Sequence, residues 1–136
     1  MMNQDPINTV HCMTQGIVVQ VEVEFQTNYS IPFSDQNVFT YYIRITNTNN
    51  FTVQLLRRHW LIWESNGTSR EVKGEGVIGE QPIIHPKQFH SYESFCPIHS
   101  PIGKMKGKYQ MQRMDTNQVF EIEIPEFQLV INSLKN

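Results

Sequence analysis

Gly74, Gly76 and Gly79 give the spacing G-x-G-x-x-G inside Arg70-Glu-Val-Lys-Gly-Glu-Gly-Val-Ile-Gly-Glu-Gln-Pro82, in a chain with only seven glycines. Backbone without Cβ atoms is required where a turn visits positive φ or another group comes close to the main chain. In a dinucleotide-binding unit these glycines would open a helix whose free N–H groups and positive dipole end hold a pyrophosphate. No helix can start here, because Pro82 stands three residues beyond Gly79 and Pro86 follows. The expected reading is therefore turns and bulges in β-structure. The alternative is an anion nest of backbone N–H groups with Arg70 or Lys73 beside it, a small-anion or nucleotide/pyrophosphate sensor.

A second cluster is Arg57-Arg58-His59-Trp60, within an otherwise apolar run. Its residues alternate faces, so at least one cation points to a sheet interior or edge, where it needs a partner or a path to solvent. Glu71 and Glu80 are the expected carboxylate partners. The sharper reading makes Arg58, His59 and Trp60 a recognition patch, since Trp and Arg concentrate in binding hot spots.

Five histidines and two cysteines raise the question of a metal. Cys96-x-x-His99 could place two ligands on one loop, but no set of three or four at ligand spacing is complete, so no metal site and no cofactor is assigned. There is no G-x-S-x-G elbow and no H-E-x-x-H, and neither cysteine has a base beside it. No catalytic residue is assigned, and the chain is expected not to be an enzyme.

The elements that must position these groups are strands. Ile17, Val19, Val21, Val23 and Phe25 alternate with Gln20, Glu22 and Glu24, and Phe39, Tyr41, Ile43 and Ile45 alternate with Thr40, Tyr42 and Arg44. The run Phe51 to Glu64 carries apolar groups at both parities, which predicts a strand deep in a sheet. Ser65-Asn-Gly67 predicts a hairpin into a strand from Ser69 to Lys73. Further strands are expected over Phe89 to Phe95, over Met105 to Arg113 with a basic outer face (Lys104, Lys106 and Lys108), over Phe120 to Ile124, and, after an interruption at Pro125, over Phe127 to Ile131. Glu121 and Glu123 are expected to pair with those lysines across strands. Cys96 to Gly103 reads as an irregular loop, Asn28 to Asn37 as a connection, and residues 1–15 as a polar, loosely held arm. No run has helical spacing. The fold class is all-β, an immunoglobulin/fibronectin type III-like antiparallel sandwich of about seven or eight strands, in one domain from residue 16 to residue 136.

A chain of 136 residues that is 39% hydrophobic can bury one core. Its net charge of −2 gives no basic field, so nucleic acid is not an expected partner. With no apolar run of membrane length, no basic start and two distant cysteines, a soluble cytoplasmic protein without membrane insertion is expected.

Taken together, Val53-Gln-Leu-Leu56, Arg58-His-Trp60, Glu71 to Pro82, Ser100-Pro-Ile-Gly103, Met105-Lys-Gly-Lys-Tyr-Gln-Met111 and Phe120-Glu-Ile-Glu-Ile-Pro125 resemble the ApaG family, also called CorD. The likeness runs from about Ile17 to Leu129. It implies a fibronectin type III-like sandwich, a link to cobalt tolerance and magnesium efflux, and a protein-interaction module with an as yet unidentified protein partner. The chain has Pro86-Lys-Gln88 where the family pattern has Pro-Gly-Glu, and Ser94-Phe95 where Ser-Gly precedes the cysteine. An exposed edge strand would permit a homodimer.

Overall fold

The computed structural model describes residues 9–27 and 36–134. They form two antiparallel sheets. Sheet A has the order β1 (Thr9–Thr14), β2 (Ile17–Phe25), β3 (Asn37–Asn47), β7 (Phe89–Ile98). Sheet B has the order β5 (Ser69–Glu75), β4 (Val53–Glu64), β8 (Ile102–Arg113), β9 (Val119–Val130), with the two-residue β6 (Ile83–Ile84) also paired to β4. The alternation read from the sequence sets the burial: Ile17, Val19, Val21, Phe39, Ile43 and Ile45 face Leu55, Tyr109, Met111, Ile122 and Leu129 across the core.

Four expectations change. The polar amino-terminal arm is, from Thr9 to Thr14, a strand paired along its whole length with β2; residues 1–8 and most of the Asn28 to Asn37 connection lie outside the described residues. Its weak alternation, Val10 and Cys12 against His11 and Met13, carries little hydrophobic signal. β7 extends to Ile98, so the loop expected from Cys96 shrinks to a tight corner before Ile102.

The third concerns β4, which does lie inside its sheet, but the apolar groups at both parities do not mean burial on both faces. The register to β8 shifts between Leu55 and Arg57. Leu56 is the extra residue of a β-bulge, and it reverses the parity of everything after it. Val53 and Leu55 point inward before the bulge; Trp60, Ile62 and Glu64 are the buried residues after it. A second bulge absorbs Pro125: β9 stays one strand, and its register to β8 shifts between Met105 and Gly107.

The bulge also anchors the glycine segment, which runs along one edge of β4 between β5 and β6. The Leu56 carbonyl accepts the Gly76 N–H (2.8 Å) and the Gln81 side chain (3.0 Å). Val77 and Glu80 exchange both backbone hydrogen bonds around Ile78 (φ 48°) and Gly79 (φ 75°), a two-residue turn with positive φ at both central positions.

Candidate binding cleft

The two long sides of the sandwich differ. On one, β1 and β9 bridge the sheets: the Cys12 thiol donates to the Glu123 carbonyl (3.4 Å), and the Glu123 N–H donates to Thr14 Oγ1 (3.1 Å). On the other, the edge strands β5 and β7 stand apart, and a cleft of about 550 Å³ opens between the sheets, lined among others by Tyr41, Arg58, Trp60, Arg70, Cys96 and His99.

Parity after the bulge places the residues of the Arg57 to Trp60 cluster. Arg57 and His59 face outward, Arg57 to Glu75 (4.0 Å) and His59 in contact with Glu71. Arg58 is the inward one, between Gly74 on β5 and the fully buried Tyr109 on β8. A Cβ at Gly74 would lie 2.8 Å from the guanidinium carbon, so the glycine leaves the space through which Arg58 reaches the cleft mouth. There Nη1 donates to the Glu75 and Gly76 carbonyls, both at 3.0 Å. Among the described residues no carboxylate pairs with Arg58, and its Nε and Nη2 donate to no protein group.

Trp60 forms the floor, edge-on to Phe127 (90°, centroids 5.9 Å) and to Tyr41 (5.4 Å). Behind it the hydroxyls of Tyr92 and Tyr109 bond to each other. Burial holds both phenols well above their ordinary pKa, so they remain neutral donors and acceptors.

The far end of the cleft is tied by Glu64, whose side chain is 3% exposed. Its carboxylate takes Arg70 Nη1 (2.9 Å), the His99 N–H (2.6 Å) and the Ser100 hydroxyl (3.3 Å). Arg70 Nη2 reaches the Pro97 carbonyl (2.6 Å) and the Cys96 sulfur (3.6 Å), which joins β5 to β7 at this one corner. Burial pushes the Cys96 thiol up to about 11, against the pull of Arg70, so at neutral pH it stands as the neutral thiol. Among the described residues no three His, Cys, Asp or Glu side chains group as metal ligands.

The residues named from sequence are thus divided between places. Arg58, Trp60, Arg70 and Gly74 meet at the cleft. His59 and Lys73 face each other on the outer side of sheet B, in a shallow groove of about 190 Å³ with Lys108. Gly76 and Gly79 shape the hairpin, where the N–H groups of Gly76, Val77 and Glu80 are already spent on backbone carbonyls. Arg70, the cation set beside those glycines in the anion-nest reading, is bonded to Glu64. Lys108 lies 3.8 Å from Glu121 and 4.0 Å from Glu123, the expected cross-strand pairing. Sequence reasoning missed Glu64, Tyr41, Tyr92 and Tyr109; a carboxylate two residues beyond Ile62 at the parity of Trp60 was the available signal for the first.

Fold and site together define an all-β, two-sheet sandwich of the immunoglobulin/fibronectin type III kind, sealed on one side and open on the other. The family model of the ApaG domain matches residues 27–113, and the chain belongs to that family. It is 45% identical over 120 residues to Protein ApaG of Edwardsiella ictaluri (88% of this chain, 95% of that protein) and 44% identical over 117 residues to Protein ApaG of Brucella canis (86% and 89%). The crystal structure of the putative ApaA protein from Bordetella pertussis superposes with a TM-score of 0.82 at 37% identity, covering 85% of this chain and 94% of that one. The C-terminal domain of wzt shares the fold alone, with a TM-score of 0.54 at 7% identity.

Proposed function

We propose that this chain is a non-catalytic cytoplasmic binding module that engages another protein at its open side and serves divalent-cation homeostasis, cobalt tolerance and magnesium efflux, through that partner. The observation that carries the reading is Arg58: an inward-facing, partly buried guanidinium with half of its donor fork free, at the mouth of a cleft with an aromatic floor. A cation in such surroundings favours an anionic counterpart, and an acidic side chain of the partner can take Nε and Nη2 together. On the β7 rim the exposed Phe95 supplies contact area beside it. The cation link stays with the partner, because no side-chain cluster among the described residues suits a metal.

The test is affinity capture from a lysate of the producing organism. Immobilised wild type and a Met13→Asp variant on the closed side should retain the same protein, and an Arg58→Gln/Phe95→Asp variant should lose it. Identical capture by all three would overturn the assignment of the open side.

A further inference from the structure

Among the described residues β5 is an edge strand of sheet B with no further strand beside it, and its sequence, Ser69-Arg-Glu-Val-Lys-Gly-Glu75, is nearly self-complementary about Val72. Edge strands normally avoid pairing with copies of themselves through charge, lysine above all. Here the order of charges has the opposite effect. In an antiparallel pair of two β5 strands centred on Val72, Glu71 of each copy lies opposite Lys73 of the other, Ser69 opposite Glu75, and Arg70 opposite Gly74. Every directly opposed charged pair is of unlike sign, an arrangement that favours the pairing.

The side chains suit that register. Val72 is exposed, at 37%, although it stands at the inward parity. A second Val72 across the two-fold axis would cover it. Lys73 has no carboxylate partner among the described residues, and the partner copy would supply one beside the existing His59–Glu71 contact. On the inward row Arg70 is held back on Glu64 and lies opposite Gly74, over which the Arg58 guanidinium of that copy already extends.

We propose that two copies of this chain associate through β5 about a two-fold axis at Val72, joining their B sheets edge to edge. Both A sheets then lie on the same side of the continuous sheet, and the two Arg58-lined clefts face each other beneath the joint. The inference rests on reading the open side as an interaction surface, and names a second copy as the occupant of one of its two edges.

Sedimentation equilibrium of the purified full chain tests it, up to about 1 mM. Wild type should dimerise. Lys73→Glu and Glu71→Lys place like charges opposite each other twice per dimer, and each should weaken association by about tenfold. The double exchange Glu71→Lys/Lys73→Glu should restore it, whereas Lys106→Glu, the same charge change away from β5, should have no effect; circular dichroism verifies that all variants fold. A monomeric wild type, single variants that dimerise as well as wild type, or a double exchange that fails to rescue would each overturn the β5 dimer. The capture experiment above reads the cleft and the β7 rim, so a monomer that still captures its partner leaves the functional reading standing. A β5 dimer that captures nothing overturns that reading alone.

Discussion

The β1–β9 side and the β5–β7 side of the sandwich are built from the same kind of strand and reach opposite ends. Where β1 meets β9, main-chain groups of Glu123 bond directly to Cys12 and Thr14, and the sheets close. Where β5 faces β7, the inward positions of β4 and β5 hold Arg58, Glu64 and Arg70, and the Glu64–Arg70 corner spans the gap. Charged groups need water or a dedicated partner, so a row of them at inward parity keeps the sheets from closing. Openness is thus written into a few positions and costs little in fold, because the rest of the core is continuous.

The largest expected effect breaks this contrast at its one closed corner. Glu64→Ala removes the partner of Arg70 and of the His99 N–H, and should cost about 3 kcal/mol in urea unfolding. A loss below about 1 kcal/mol would mean that the open side is not held by this contact. Next is Gly76→Ala, which should cost about 2–3 kcal/mol: its φ is +60°, and a Cβ would sit 2.0 Å from the Glu80 carbonyl oxygen. Gly79→Ala, at similar φ but in open space, should cost only about 1 kcal/mol. On the sealed side, Thr14→Val removes the acceptor of the Glu123 N–H and should cost about 1 kcal/mol.

Ile78 should respond in the opposite direction. A β-branched residue at φ 48° on the hairpin tip is strained, and Ile78→Asn should stabilise by about 0.5–1 kcal/mol. The last and smallest effect is in pH dependence. The folded Cys96 thiol titrates near 11 rather than its ordinary 9.0, so the neutral thiol favours the folded state below pH 9, and that preference is lost as pH rises to about 11. The melting temperature of Cys96→Ala should therefore fall less steeply across this window than that of wild type.

The strands with strict alternation, β2, β3 and β8, were legible because one face is wet and the other dry. The two bulges were not, since an inserted residue leaves no mark on composition; it only exchanges the meaning of odd and even afterwards. That exchange decides the site, because it turns Arg58 inward and sends Arg57 and His59 outward. The glycines were legible as turns, but Gly74 acts through the arginine opposite it, a pairing that exists only once β5 has folded back on β4. The tyrosine hydroxyls were hidden for the same reason: Tyr92 and Tyr109 come from different sheets.

Parity also separates the two tryptophans of β4. Trp60 is sealed into the cleft floor, whereas Trp63 lies on the outer face with Lys104 and Lys106 ammonium groups 5.2 and 5.6 Å from its ring. The molecule therefore carries two native fluorophores with opposite quenching behaviour. Iodide, drawn by the lysines, should quench Trp63 and leave Trp60 bright, so that the emission remaining in iodide reports on the cleft alone.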